Sequence, residues 1–231
     1  MTNECIIIGN GKSREGFDLH LLKDPNNRVT TFGCNALYRD FWPDYLVAID
    51  EKIIGEIKGS DYPPDRFIEP PEPEKWEPIS LHWGRAKTDD PDWNPQRPRS
   101  NAGMNAILEA IKRGYDHLYL LGLDFLLIEE DKALSNVYDG TYAYGPETRA
   151  NLQDTRSRFD FFGWILEKNP EVQFILVFPK EDKIYEPELN NVHRCSLERL
   201  VEGDVFVNYT DKRNQMNDDT QGNGKYDSFY E

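Results

Sequence analysis

Long apolar runs are missing from this sequence, and its longest ones, Ile6–Ile8, Leu118–Leu121 and Phe174–Phe178, are too short to span a bilayer. The first residues, MTNEC, have neither the basic nor the apolar stretch of a signal peptide. We therefore expect a cytoplasmic protein without a transmembrane segment.

Cysteine is scarce as well. Cys5, Cys34 and Cys195 are odd in number and widely spaced, so they fit neither a disulfide framework nor a zinc motif. We expect reduced thiols and no resident metal.

Basic residues are outnumbered, with 27 Lys and Arg against 42 Asp and Glu and a net charge of −15. Such a chain is repelled by phosphate backbones unless a basic patch overrides the field, and the sequence has no such patch. Nucleic acid is therefore not expected as a partner.

Short β-rich runs alternate with helical stretches along the chain. The predicted strands are Glu4–Ile8, Arg28–Phe32, Asp44–Ile49, His117–Leu121 and Val172–Phe178, with a weaker one at Arg66–Glu69. The predicted helices are Ser100–Arg113 and Thr155–Lys168. Continuous apolar strands separated by helices predict an α/β fold, a Rossmann-like and mostly parallel sheet with helices on both faces.

The 231 residues suit one domain, which we place at residues 1–210. It carries an inserted loop at 62–99, which holds nine of the fifteen prolines, and an irregular flap at 126–154. The polar stretch 211–231 is predicted to be a flexible tail.

Small and polar residues follow four of the predicted strands. Gly9-Asn10-Gly11 follows the first, Asn35 the second, Asp50 the third and Asp124 the fifth. The carboxyl ends of parallel strands form a ligand crevice, so these side chains are expected to face a common cleft. Asparagine offers both a donor and an acceptor to a base or ribose. The alternative makes the glycines a simple tight turn, and Asn35 and Asp50 helix caps.

Two further segments have the composition of a phosphate site. Arg99, Ser100, Asn101 and Gly103 stand at the start of the strongest helix, where free N–H groups bind anions. The flap contains Tyr138, Tyr142 and Tyr144, whose hydroxyls can donate to a phosphate leaving group. The alternatives are a capping sequence with a surface arginine, and exposed loop aromatics.

The segments IIIGNGKS, FGCNALYRD, DYLVAID, RSNAGMNAILEAIKRGYDHLYLLGLDF and DGTYAYG resemble, in this order, the bacterial sialyltransferases of glycosyltransferase family 42. The resemblance covers about residues 4–180. A similar Gly-Asn-Gly start and Gly-x-Asp end occur in the wider group that includes 6-hydroxymethylpterin diphosphokinase-like proteins.

The resemblance implies a glycosyltransferase-type nucleotide-binding domain that holds a CMP-sugar without a metal. It implies that Asn10 and Asn35 contact the donor, that Arg99 precedes the central helix, and that Tyr142 contacts the phosphate. The chain departs from the family at Leu126, where the family has a second tyrosine, and at Ala102, where it has a small hydroxyl residue. Residues 151–154 also lack the family's histidine, which leaves Asp154 as the nearest acid–base candidate.

The predicted reaction is sugar transfer from a nucleotide sugar to a glycan or other hydroxyl acceptor. Asp154 is the predicted base, with Asp50 second. Tyr142, Tyr138 and the Ser100–Gly103 helix start would stabilise the phosphate, while Asn10, Asn35 and Asp124 would orient the nucleotide.

Two alternatives stay open. A pterin diphosphokinase-like phosphotransferase would hold Mg²⁺ between Asp50 and Asp124 at adjacent strand ends. A catalytically inactive nucleotide-binding protein would account for the missing histidine and tyrosine. Whether the chain forms a homo-oligomer is open too.

Overall fold

The computed structural model describes residues 3–23, 29–69, 101–146 and 152–201, with only the backbone described for 130, 152–157, 160 and 201. The predicted tail, most of the inserted loop, and the candidates Arg99 and Ser100 lie outside these residues. The predicted domain limits stay a prediction for the same reason.

A seven-stranded sheet, in which all strand pairs are parallel, forms the centre of the protein. Its spatial order is β4-β3-β2-β1-β5-β6-β7. The strands are β1 (Glu4–Ile8), β2 (Thr30–Cys34), β3 (Tyr45–Val47), β4 (Phe67–Ile68), β5 (His117–Leu121), β6 (Gln173–Phe178) and β7 (Val192–Ser196). The predicted α/β fold and the six predicted strands are confirmed. The edge strand β7 was not predicted, because its sequence VHRCS mixes charged and apolar residues.

Helices cover both faces of the sheet, as predicted. They are α1 (Glu51–Lys58), α2 (Ala102–Lys112), α3 (Glu130–Ala133), α4 (Leu152–Lys168) and α5 (Leu197–Val201). One face buries apolar side chains of α2 and α4 against β1, β5 and β6, and the other buries those of α1 and α5. No helix within the described ranges is long and apolar enough to cross a membrane.

The first turn of α2 shows why this helix begins at Ala102, two residues after the predicted start at Ser100. The side-chain oxygen of Asn101 accepts a hydrogen bond from the Met104 N–H at 2.9 Å. This is a regular N-cap, which satisfies one of the free donors of the helix start. The capping interpretation of Asn101 is confirmed.

Two glycine turns meet at the centre of the sheet, where β1 has β2 to β4 on one side and β5 to β7 on the other. The Gly9 N–H donates to the Leu121 carbonyl at 2.8 Å, and the Gly11 N–H donates to the Gly122 carbonyl at 2.9 Å. A Cβ atom on Gly9 would lie 2.1 Å from the Gly122 oxygen, so only glycine permits this approach. The turns after β1 and β5 are thus fixed to each other at the switch point of the sheet.

The close packing of Gly11 is testable by substitution. Its added Cβ would lie 2.1 Å from the Asp124 carboxyl carbon, whereas a Cβ on Gly55, in the middle of α1, would meet nothing within 4 Å. Gly11→Ala should lower the free energy of unfolding by about 2–3 kcal/mol. Gly55→Ala should raise it by about 0.5–1 kcal/mol, because alanine favours the helix. Urea denaturation measures both, and a Gly11→Ala protein as stable as wild type would contradict the packing.

Candidate functional site

Asp124 lies beneath the β1 turn and holds it in place. Its carboxylate accepts hydrogen bonds from the Ser13 N–H at 2.9 Å, from the Ser13 hydroxyl and from the Lys12 N–H. Only 4% of the residue is exposed, and this burial raises the pKa of Asp124 to about 6 despite these donors. The carboxylate predicted to orient a nucleotide is therefore already engaged by its own chain.

Asn10 belongs to the same turn, and its side chain reaches toward the end of β2. Its amide nitrogen donates to the Cys34 carbonyl at 3.0 Å and to the Tyr144 hydroxyl oxygen at 3.4 Å. Because a carbonyl can only accept, the Cys34 contact fixes which end of the amide is nitrogen. The side-chain oxygen of Asn10 is buried and has no hydrogen-bond partner among the described residues.

Asn35 repeats this arrangement after β2. Its amide nitrogen donates to the Asp50 carboxylate at 3.1 Å, and its buried side-chain oxygen also has no partner in the described part of the chain. Its φ of +48° is left-handed, a conformation that asparagine tolerates better than most residues. Asn35 is the first residue of the short helix that Cys34 precedes, so the capping interpretation of Asn35 is wrong. Asp50 does occupy the N-cap position of α1, as the capping interpretation predicts, but its side chain makes no cap hydrogen bond.

The three flap tyrosines occupy different environments. Tyr138 is buried, and its hydroxyl is engaged by Arg14 and by the Asp40 carboxylate. Tyr142, the residue that the resemblance selects, is 64% exposed. Tyr144 is partly buried, and its hydroxyl oxygen accepts from Asn10 and from the Ala36 N–H.

A backbone turn separates Tyr142 from Tyr144. Ala143 between them has a φ of +64°, and the Gly140 N–H closes the turn on the Tyr144 carbonyl at 2.9 Å. The sequence TYAY shows two tyrosines close together, but no local pattern predicts which of the two turns toward the strand ends.

Arg39 ties the flap to the body of the protein. Its guanidinium forms two hydrogen bonds to the Glu56 carboxylate, at 2.7 and 2.6 Å. It also donates to the Thr141 hydroxyl at 2.8 Å and to the Tyr142 carbonyl at 3.1 Å. Tyr144 is thus held over the ends of β1 and β2 by a charge-assisted network that the sequence did not reveal.

The start of α2 borders the site on the side of β5. A Cβ on Gly103 would lie 2.7 Å from the Leu123 side chain, so the helix packs tightly on the β5 turn. Asp154 lies in the first turn of α4, where only the backbone is described.

The expectation that Asp50 and Asp124 stand at adjacent strand ends is wrong. They follow β3 and β5, and β2 and β1 lie between these strands. Three strand spacings amount to about 14 Å, too far for the two strand ends to share one Mg²⁺. Among the described residues no group of three or more His, Cys, Asp or Glu side chains could hold a metal ion.

Comparisons with protein-family models, with curated proteins and with solved structures give no match to this chain. The resemblance to sialyltransferases therefore stays a prediction. What the chain can bind must follow from the two unpartnered amide oxygens and the hydroxyl of Tyr144 beside them.

The raised pKa of Asp124 predicts how stability depends on pH. The folded state holds this proton up to about pH 6, whereas the carboxyl ordinarily releases it near 3.8. The contribution of Asp124 to the free energy of unfolding is thus fully present below about pH 4 and is lost as the pH rises through 6. The loss is on the order of 3 kcal/mol, at about 1.4 kcal/mol for each pH unit between the two pKa values.

Urea denaturation of wild type and Asp124→Asn between pH 4 and 7 isolates this contribution. The stability of wild type relative to the variant should fall over that range, because asparagine does not titrate. A difference that stays constant with pH, or that grows as the pH rises, would refute the raised pKa.

Proposed function

We propose that this protein is a sialyltransferase-like glycosyltransferase that binds a CMP-activated sugar at the carboxyl ends of β1 and β2 and transfers the sugar to a hydroxyl acceptor. The observation that carries the proposal is the pair of buried, unpartnered side-chain oxygens of Asn10 and Asn35. An unsatisfied buried acceptor costs about 1–3 kcal/mol. A ligand that supplies hydrogen-bond donors at both positions recovers this free energy on binding.

The nucleoside of a CMP-sugar carries donors of the required kind. The exocyclic amine of cytosine donates, whereas uracil presents a carbonyl at the same position. The ribose hydroxyls are further donors. Both amides are prevented from reversing, since the Cys34 carbonyl and the Asp50 carboxylate hold their nitrogens. The oxygens therefore favour a ligand that donates, such as cytidine, over one that only accepts.

Tyr144 supports the phosphate end of the proposal. Its oxygen already accepts two N–H groups, and its own hydrogen has no acceptor among the described residues. Burial raises the pKa of Tyr144 to about 12, so the hydroxyl keeps its proton at neutral pH. We assign to Tyr144 the donation to the leaving phosphate that the resemblance gives to Tyr142.

The acceptor hydroxyl needs a base, and carboxylates are the available candidates. Asp154 stays the first choice from the resemblance. Asp50 is the second, and it is exposed at the end of β3 and hydrogen-bonded to Asn35. A positioned base contributes about 10²–10⁴-fold to the rate. No step assigned to these residues needs a metal ion.

Nucleotide binding should be specific and should depend on Asn35. CMP should raise the melting temperature more than UMP or GMP do. Asn35→Gly should abolish that shift while leaving the free protein at least as stable, because glycine adopts the left-handed conformation without strain. Thermal denaturation with each nucleotide measures both effects. Equal shifts with all nucleotides, no shift with any, or an unchanged CMP shift in the variant would remove the assignment.

Measuring turnover of a CMP-sugar distinguishes a transferase from a catalytically inactive nucleotide-binding protein. Release of CMP from a CMP-sugar should fall at least about tenfold in Asp154→Asn if Asp154 is the base. An unchanged rate would clear Asp154 of this role. CMP binding by the wild type without turnover of any CMP-sugar would instead select the inactive nucleotide-binding protein.

A further inference from the structure

Arg14 is a buried cation at the switch point of the sheet. Only 7% of the residue is exposed, and its Nε–H donates to the Gly9 carbonyl at 2.9 Å. A Cβ on Gly122 would lie 3.0 Å from the Arg14 Cδ, so the side chain packs across the ends of both β1 and β5. The arginine therefore lies against the turn that carries Asn10.

No described carboxylate forms a direct ion pair with this guanidinium. Beyond Gly9, the guanidinium makes one long hydrogen bond, at 3.5 Å, to the Tyr138 hydroxyl. Of the two nearby carboxylates, Asp40 reaches Arg14 only indirectly, through the Tyr138 hydroxyl that both contact, and Asp124 accepts from Ser13. Buried charges in folded proteins are normally paired, so a buried guanidinium that lacks an anion is unusual.

Arg39, which also contacts Tyr138, shows how an arginine of this protein is paired when it has an acidic partner. Its guanidinium stands 5.6 Å from the centre of the Tyr138 ring and is paired with both oxygens of Glu56. The chain as a whole has an excess of carboxylates, with a net charge of −15. The missing partner of Arg14 is therefore not explained by a shortage of acidic residues.

A second donor without an acceptor lies nearby. The Tyr144 ring centre is 5.8 Å from that of Tyr138, whose hydroxyl contacts Arg14. An anion with several oxygens would serve both the guanidinium and the Tyr144 hydroxyl, and phosphate matches the planar guanidinium fork. We infer that Arg14 is the positively charged residue of an anion site that binds the phosphate of the nucleotide. This inference rests on the proposed function.

The phosphate contribution can be measured separately from the nucleoside contribution. Calorimetry would give the Kd of cytidine, CMP and pyrophosphate for the wild type, for Arg14→Met and for the control Lys12→Met. Lys12 is exposed two residues away, so its substitution changes the net charge equally without touching the buried site. Wild type and Lys12→Met should bind CMP at least about tenfold tighter than cytidine. In Arg14→Met the two affinities should become nearly equal, with that of cytidine unchanged.

Three results would overturn the inference: an unchanged preference for CMP in Arg14→Met, an equal loss of cytidine and CMP affinity in that variant, or the same loss of preference in Lys12→Met. The second of these is what a purely structural arginine predicts. If Arg14→Met does not fold, Arg14→Gln, which keeps a donor for the Gly9 carbonyl, replaces it with the same expectations.

Pyrophosphate distinguishes this inference from the function on which it rests. If the wild-type protein binds neither cytidine nor CMP, the nucleotide proposal is refuted. Pyrophosphate binding that is lost in Arg14→Met would then still support the anion site as a site for free phosphates, and absence of pyrophosphate binding would overturn it. CMP binding that is indifferent to Arg14 would overturn the anion site and leave the nucleotide proposal intact.

Discussion

The contact between the glycine turns after β1 and β5 is the constraint on which the rest of the site depends. Two backbone hydrogen bonds and a contact too close for any Cβ hold these turns together at the point where the strand order departs from β1 in both directions. Asp124 secures the turn from below through Ser13. Asn10 and Arg14, which belong to the same turn and the segment after it, are thereby brought to the carboxyl edge of the sheet, the edge at which open parallel sheets bind ligands.

At this edge of the sheet, several polar groups lack a hydrogen-bond partner of the kind they need in the described part of the chain. The oxygens of Asn10 and Asn35 lack donors, while the hydrogen of the Tyr144 hydroxyl lacks an acceptor and the Arg14 guanidinium lacks an anion among the described residues. Neighbouring polar groups such as Asp124, Tyr138 and Arg39 are fully engaged. Unpaired acceptors together with unpaired donors match a ligand that carries both amine or hydroxyl groups and an anionic group, as a nucleotide does.

Local patterns predicted six of the seven strands and the asparagines after two of them, but not the residues that these asparagines contact. Apolar runs such as Glu4–Ile8 and the small residues after them are visible in the sequence, so the fold and the positions of Asn10 and Asn35 after their strands followed from it. Which residues lie next to Asp50 and Asp124 depends on the order of the strands in the sheet, and no single segment of the sequence encodes that order. The prediction that the two aspartates stand at adjacent strand ends was therefore wrong. The left-handed conformation of Ala143, which lies between the exposed Tyr142 and the partly buried Tyr144, could not be predicted from the local sequence. Nothing in the sequence indicates that Arg14 is buried either.

A crystal structure of the protein grown with CMP tests most directly whether the two amide oxygens are ligand contacts. We expect donor atoms of the nucleotide within about 3.2 Å of the side-chain oxygens of both Asn10 and Asn35. Ordered water molecules on both oxygens, with the nucleotide absent or bound elsewhere, would contradict the account.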